Sequence, residues 1–221
     1  MGAQDNLHPG EPPTFCRLFA DSWSMADDSG SRIPVYVRDT LQTLAAVVFV
    51  GLLLFALTGV WPPMVAVESG SMEPHIDTGD MVVVSDAGRF SGASADEHGI
   101  VTYAESDGYS RFSGKGDVIV YMPPERTGSP IIHRARFYVE SGENWYDRAA
   151  PDAIAPGIDN CDELTNCPAP NAGYITKGDN VRQYDQARGL ARPVKPEWVR
   201  AKAQVRVPFL GWVRLAIAGK A

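Results

Sequence analysis

The feature that most constrains this chain is an uncharged apolar segment from Thr40 to Val60, TLQTLAAVVFVGLLLFALTGV. Twenty-one residues in a helix span about 31 Å, which matches the hydrocarbon thickness of a bilayer. A buried core helix is the alternative, but the segment lacks a polar stripe; a cleavable signal peptide would be shorter and would begin nearer the N-terminus. The segment predicts a transmembrane anchor over residues 40–61, ending at Trp61, an aromatic residue typical of the membrane interface.

The charges around this segment predict its orientation. Arg32 and Arg38 lie just before it, and no basic residue follows it closely. Because basic residues stay on the cytoplasmic side, we expect a single-pass protein of the cell membrane with a cytoplasmic N-terminus. Residues 1–39 are polar and proline-rich and are expected to form a cytoplasmic flexible tail, and residues 62–221 are expected to lie outside the membrane.

The chain after the anchor predicts a mainly β domain. Its short β-branched or aromatic runs are bounded by Gly, Asp, Pro and Ser, which favours strands separated by turns. The runs are DMVVVSD, GIVTYAE, GDVIVYM, IIHRARFYVE, YITKGD and AKAQVRVPFLGWVRL, the last alternating up to Pro208. Only PEWVRAK indicates a turn of helix, and no alternation of strands and helices indicates a parallel sheet.

Composition excludes several classes of function. The formal net charge of −7 argues against nucleic acid as a partner. The chain has 4 His and 3 Cys, with no CxxC pair and no HExxH motif, so we expect no metal site. Cys161 and Cys167 lie in an extracytoplasmic loop, where they could form a disulfide or remain free thiols, whereas Cys16 is expected to stay reduced.

A loop rich in hydroxyl groups, ESGSMEPHIDTGD, follows the anchor and precedes the valines of MVVV. A serine in such a loop can attack a carbonyl only if a base takes its proton and hydrogen-bond donors receive the oxyanion. Glycine beside the serine lets the backbone turn sharply and lets a substrate strand approach. On its own, Ser69-Gly70-Ser71 is equally typical of an ordinary linker.

The base and its partner must come from elsewhere in the chain. His8 is on the cytoplasmic side, His75 shares the serine loop and His98 lies in a polar stretch, whereas His133 lies in the strand-like run SPIIHRARFYV. A strand holds a base rigidly, which favours His133. In YITKGDNVRQYDQARG, either Asp179 or Asp185 could accept a hydrogen bond from the Nδ1–H of the histidine.

The set of motifs, in this order, resembles type I signal peptidase, the membrane-bound serine protease that removes secretory signal peptides. The motifs are the anchor, SGSMEP, GDMVVV, GDVIVY, IIHRAR and TKGDN, and the resemblance extends from Leu41 to Leu215, where VPFLGWVRL is similar to a late strand of the family. Bacterial members have lysine where this chain has His133. The His133-Arg134 pair resembles the archaeal and endoplasmic-reticulum branch, and the acidic, lysine-poor composition is consistent with an archaeal protein.

The resemblance implies a role for each matching residue. It makes Ser71 the nucleophile and His133 the general base, with Asp179 and Asp185 as catalytic carboxylates, one of which completes the triad; Asp185 is favoured as the triad member and Asp179 as an essential support. It also makes Ser69 a donor of the oxyanion hole, and implies small substrate residues one and three positions before the cut. Met72, Val65 and Val67 are candidate walls for their pockets.

The resemblance further implies the partners: secretory preproteins with signal peptides as substrates, the lipid bilayer, and the protein-translocation channel. No cofactor or metal is required. His75 departs from the small residue that many relatives have at that position. A lysine-dependent self-cleaving repressor protease is disfavoured, because neither Lys115 nor Lys177 takes the place of His133. The alternative is a non-enzymatic β domain on a membrane anchor, acting as a binding or scaffolding module.

Overall fold

The protein is described here by a computed structural model of residues 34–219. The predicted cytoplasmic tail, with His8, Cys16 and Arg32, therefore lies almost wholly outside the described residues. The chain divides into two units between Val48 and Phe49, and each is considered separately.

The predicted anchor is one continuous helix, α1, from Val35 to Thr58 (24 residues). It begins five residues earlier and ends three residues earlier than the predicted span. Thr58 is its single buried residue, so its apolar side chains are not covered by protein. In the described part of the chain it is the one helix long and apolar enough to cross a bilayer.

The rest of the described chain is built on one antiparallel sheet, which confirms the mainly β prediction. Six strands pair in the order β1-β2-β8-β5-β6-β7, and a separate hairpin is formed by β3 and β4. The strands are β1 Met64–Ala66, β2 Met81–Ser85, β3 Ser110–Arg111, β4 Gly114–Lys115, β5 Val118–Tyr121, β6 Ile131–Val139, β7 Gly173–Lys177 and β8 Val199–Val207.

Valine and isoleucine side chains explain why the central strands form where they do. The four residues of β5 are all buried, and β6 is buried at six of its nine positions, as expected for strands covered on both faces. The register places Ile119 opposite His133 and Ala135 opposite Thr176, so β6 carries the histidine between two neighbours. Pairing with strands on both sides restrains the backbone that carries the histidine.

The prediction of a strand at GIVTYAE is wrong. The segment runs along the sheet, with Tyr103 N–H bonded to Ala135 O and Asp117 N–H bonded to Val101 O, but it makes no regular ladder. The reason is that the Asp117 carboxylate, rather than a strand carbonyl, accepts the N–H of Val101 at 2.9 Å. The same carboxylate lies 3.6 Å from the fully buried ammonium of Lys202.

The predicted late strand at VPFLGWVRL is also wrong beyond its first residue. Strand β8 ends at Val207, Phe209 takes a left-handed conformation with φ 63°, and helix α2 runs from Leu210 to Ile217. The helix packs closely on the turn before β2: a Cβ on Gly211 would lie 2.3 Å from the carbonyl oxygen of Asp80. The predicted turn of helix at PEWVRAK is confirmed as a 3-10 turn, Pro196–Trp198.

Cys161 and Cys167 are joined by a disulfide. The bridge closes a short loop that begins with the 3-10 turn Cys161–Glu163. Cys161 and Leu164 are buried, and Leu164 packs in the same apolar cluster as Trp145. Of the two alternatives for these cysteines, the structure contains the bonded one.

Candidate active site

Ser71 lies in the loop of residues 67–80, between β1 and β2. The loop is closed at its base by two backbone hydrogen bonds, from Val67 N–H to Asp80 O and from Gly79 N–H to Val67 O. Met72 and Ile76 fill its interior and have no exposed surface. Ser71 lies in the 3-10 turn Gly70–Met72 and is partly exposed, above the buried side chains of the loop. The packing and hydrogen bonds of the loop therefore hold the hydroxyl group of Ser71 in a defined position.

His133 reaches this hydroxyl from strand β6. Its Nε2 lies 3.0 Å from Ser71 Oγ, although the two residues are 62 positions apart. The imidazole is almost completely buried, with 5% of its residue surface exposed. Of the described side chains, His133 is the basic one that hydrogen-bonds Ser71 Oγ; Lys177 donates its ammonium protons to backbone carbonyls instead.

Asp185 holds the other side of the imidazole. Its Oδ2 lies 2.6 Å from His133 Nδ1 and also accepts from Tyr121 Oη at 2.9 Å and from Thr176 Oγ1 at 2.7 Å. An ionised carboxylate only accepts hydrogen bonds, so Nδ1 carries the proton and Nε2 presents a lone pair to Ser71. Burial, followed by the charge of Asp185, raises the pKa of Tyr121, which therefore stays a donor.

Asp179 is held by a different pair of side chains. It accepts from Arg134 Nε at 2.9 Å and Nη2 at 2.5 Å, and its Oδ2 lies 2.8 Å from His75 Nδ1. Burial raises the pKa of Asp179, but the bonds and charge of Arg134, with the contact from His75, outweigh burial, so the pKa is lowered. The structure thus brings Asp185, and not Asp179, to His133.

Two further residues fix the serine loop. Asn180 donates its backbone N–H to Ser71 O at 2.9 Å and its side-chain amide to Gly70 O at 3.0 Å. A Cβ on Gly178 would lie 2.6 Å from Ser71 O and 3.0 Å from His133 Nε2, so only glycine fits there. In the sequence, Gly178 and Asn180 stand out only as part of the TKGDN motif. Their close approach to the serine loop is a contact between distant segments, which no local pattern predicts.

A cavity of about 960 Å³ opens beside Ser71 and His133. Val65, Val67 and Ser69 line it, whereas Met72 does not, because Met72 is completely buried in the core beneath the loop. The location of Met72 therefore does not fit the predicted role as a pocket wall. Ser69 is exposed, and its side chain makes no capping bond to the turn that follows.

Strand β1 forms one wall of this cavity and is the outer strand of the sheet. The register pairs Val65 with Val82, and Val67 N–H bonds to Asp80 O, so alternate residues face β2. In an antiparallel pair the intervening residue, Ala66, directs its N–H and C=O away from β2. An extended peptide could add to this edge.

The site contains no cluster suited to a metal. Among residues 34–219, no group of three or more His, Cys, Asp or Glu side chains is placed to hold an ion. The arrangement is suited to acyl transfer. A hydroxyl group, a base and an orienting carboxylate are linked by hydrogen bonds beside a cavity.

Comparison with known proteins agrees with this chemistry. The family model described as signal peptidase, peptidase S26 matches residues 40–135, a span that includes Ser71 and His133 but ends before Asp179 and Asp185. No curated protein sequence matches the chain. The family match supports the type I signal peptidase family, and the chain is accordingly a serine endopeptidase, a peptide-bond hydrolase.

Proposed function

We propose that this chain, a serine endopeptidase that the family match relates to signal peptidases, removes N-terminal signal peptides from secretory preproteins at a membrane. Ser71 is the nucleophile, His133 the general base and Asp185 the residue that orients the base, as in the archaeal and endoplasmic-reticulum branch. The observation that carries the proposal is the series of contacts from Ser71 Oγ to His133 Nε2 at 3.0 Å and from His133 Nδ1 to Asp185 Oδ2 at 2.6 Å.

In the proposed reaction, His133 Nε2 takes the proton of Ser71 as Oγ attacks the carbonyl carbon of the scissile peptide bond. The imidazolium is stabilised by Asp185 and then gives its proton to the leaving amine of the mature protein. Water next attacks the acyl-enzyme, again with His133 as the base, and releases the signal peptide with a free carboxylate. Asp185 remains ionised throughout.

The oxyanion formed in each step needs hydrogen-bond donors near Ser71. The N–H of Ser71 lies in the first turn of a short helix, where no helical carbonyl can accept it. Ser69 lines the same cavity, and we assign its hydroxyl group as the second donor. Removal of one such donor costs on the order of 3 kcal/mol of transition-state stabilisation, so Ser69 is an important part of the site.

The substrate lies in the cavity as an extended strand beside β1. Val65 and Val67 line the cavity and are suited to accept small side chains at the positions one and three before the cut. Asp179 supports the site through Arg134 and His75 rather than through the base.

Membrane attachment suits this substrate. Helix α1 ends at Thr58, and Ser71 follows only thirteen residues later. A signal peptide is itself held in the bilayer, so tethering both partners to one membrane raises their effective concentration and fixes their orientation. We place the N-terminus in the cytoplasm and the catalytic domain outside, where the protein-translocation channel delivers preproteins.

The test is cleavage of a labelled preprotein by the detergent-solubilised full chain. The wild-type protein should release the mature form, and Ser71→Ala should release none while still inserting into membranes. Undiminished processing by Ser71→Ala would reject the proposal. A non-enzymatic binding module would retain the preprotein in a pull-down but would never shorten it.

A further inference from the structure

A second cavity, of about 770 Å³, adjoins the one that contains Ser71. Val181 lines both cavities, whereas Asn180, which holds the carbonyl groups of Gly70 and Ser71, lines only the second. The other walls come from residues 151–156 and 177–183. All of these residues lie outside the span that matches the signal peptidase family.

The two cavities differ in their relation to the end of the anchor. The first cavity reaches Val60, Trp61 and Pro62, which follow the last residue of α1 by two to four positions; none of these lines the second cavity. A signal peptide enters from the bilayer, so the part of the substrate before the cut occupies the first cavity. The part after the cut then leaves Ser71 in the direction of the second cavity.

The walls of the second cavity carry a net positive charge once the pairing of Asp179 with Arg134 is counted. Lys177 and Arg182 line it together with Asp152 and Asp179, but the Asp179 carboxylate is already engaged by Arg134 and His75. Burial, and next the charge of Arg136, lowers the pKa of Lys177, although Asp179 and Asp152 oppose this effect. A net positive charge on the cavity walls favours the binding of an anionic group.

The two cations have different roles in the wall. The ammonium of Lys177 donates to Gly178 O at 3.3 Å and to Val181 O at 2.5 Å, so it is occupied in holding the 178–181 segment. Arg182 is exposed, and its guanidinium is the group better placed to meet a substrate side chain. Guanidinium groups suit carboxylates because they present paired donors in a plane.

We propose that the second cavity binds the first residues of the mature protein, on the far side of the cut from the signal peptide, and that Arg182 favours acidic side chains among them. This inference rests on the proposed function. It adds a selectivity for the mature sequence that is independent of the small residues before the cut.

The test uses two preproteins with identical signal peptides and cleavage sites, which differ only in carrying Glu or Lys at the second and third mature positions. For the wild-type full chain at low ionic strength, kcat/KM should favour the Glu substrate by about five-fold, as expected for one exposed charge pair. Arg182→Glu should abolish or invert this ratio, and Arg182→Gln should give an intermediate ratio. Lys195→Glu, a reversal outside both cavities, should retain the wild-type ratio.

Two results would overturn the inference: equal kcat/KM for both substrates with the wild-type enzyme, or a wild-type ratio retained by Arg182→Glu. Cleavage of both substrates in such a case would leave the proposed function standing. Failure of the wild-type chain to cleave either substrate would instead overturn the proposed function, and this inference with it.

Discussion

Two aspartates six residues apart, Asp179 and Asp185, hold different basic side chains in this site. Asp185 is fully buried on the Nδ1 side of His133, whereas Asp179 binds Arg134 and His75. Their carboxylates therefore act at different points, one on the base itself and the other on the segments that carry the base and the nucleophile. Substitutions at the two positions should differ in their kinetic effects.

Asp185→Asn should lower kcat on the order of 10⁴-fold, because an amide does not enforce the tautomer that leaves Nε2 free to accept the Ser71 proton. Asp179→Asn should lower kcat by about ten-fold, because it weakens the support without touching His133. Steady-state cleavage of one preprotein by both variants measures the difference. Equal losses, or a larger loss at residue 179, would contradict the assignment of Asp185 as the third catalytic residue.

The lowered pKa of Asp179 predicts that the unfolding free energy depends on pH. Its pKa is lowered in the folded protein, so its contribution to the unfolding free energy is complete above the unfolded-state pKa of about 3.9 and is lost as the pH falls through the folded value. The difference in unfolding free energy between the wild-type protein and Asp179→Asn, from urea titrations between pH 7 and pH 3, should shrink toward acid pH. A constant difference would show that the Arg134 pair does not depend on the charge of Asp179.

The sequence predicts Ser71 as the nucleophile and His133 as the base, but it leaves the choice between Asp179 and Asp185 open. Ser71 lies in the SGSMEP motif and His133 lies in the IIHRAR motif, and each motif is specific enough to be found in the sequence. Asp179 and Asp185 both follow the same glycine turn, and the choice between them depends on a chain reversal that bonds Asp185 N–H to Thr176 O. Such a reversal is set by tertiary packing and has no local sequence signal.

At the scale of elements, strands with continuous β-branched runs are predicted well and short apolar runs are not. The runs of β2, β5, β6 and β7 form strands close to their predicted places. The run after Pro208, for which the resemblance predicted a late strand, becomes helix α2, because so short an apolar run does not distinguish strand from helix. In helix α2, Gly211 packs against the carbonyl groups of Gly79 and Asp80. This contact joins segments far apart in the sequence, so the local residue pattern does not predict it.

The disulfide-bonded loop is an element with a measurable effect on stability. Closing a loop of this length should contribute about 2 kcal/mol to the unfolding free energy, so Cys161→Ser combined with Cys167→Ser should lower it by that amount. Denaturant titration of the two proteins measures the change.

A count of reactive thiols provides an independent check on the same bridge. In the denatured, unreduced chain, alkylation followed by mass spectrometry should modify one of the 3 cysteines, Cys16, and reduction should expose the other two. Modification of all three before reduction would contradict the bond.

At the scale of the whole molecule, the sequence predicts the division into an apolar helix and a β-rich part, because each is specified by a long, uniform pattern. Orientation in the membrane is a separate prediction that rests on the basic residues before α1. Cys16 in the intact cell should resist a membrane-impermeant maleimide and react after permeabilisation, because the N-terminal tail is expected to be cytoplasmic.

A cysteine introduced at the exposed position Asp107 provides the matched control for this labelling experiment. Asp107→Cys should react in intact cells, because the catalytic part is expected outside the membrane. The reverse pattern, with Cys16 labelled and residue 107 protected, would invert the proposed topology and would remove the access of the site to exported preproteins.

The central claim is that Ser71 and His133 act as one catalytic unit. The most direct test is kcat for preprotein cleavage by Ser71→Ala, His133→Ala and the double variant. Because each single substitution disables the whole unit, the account predicts that all three fall to the same residual rate. A double variant whose loss is the product of two independent losses, or a His133→Ala variant that retains most of the wild-type kcat, would contradict it.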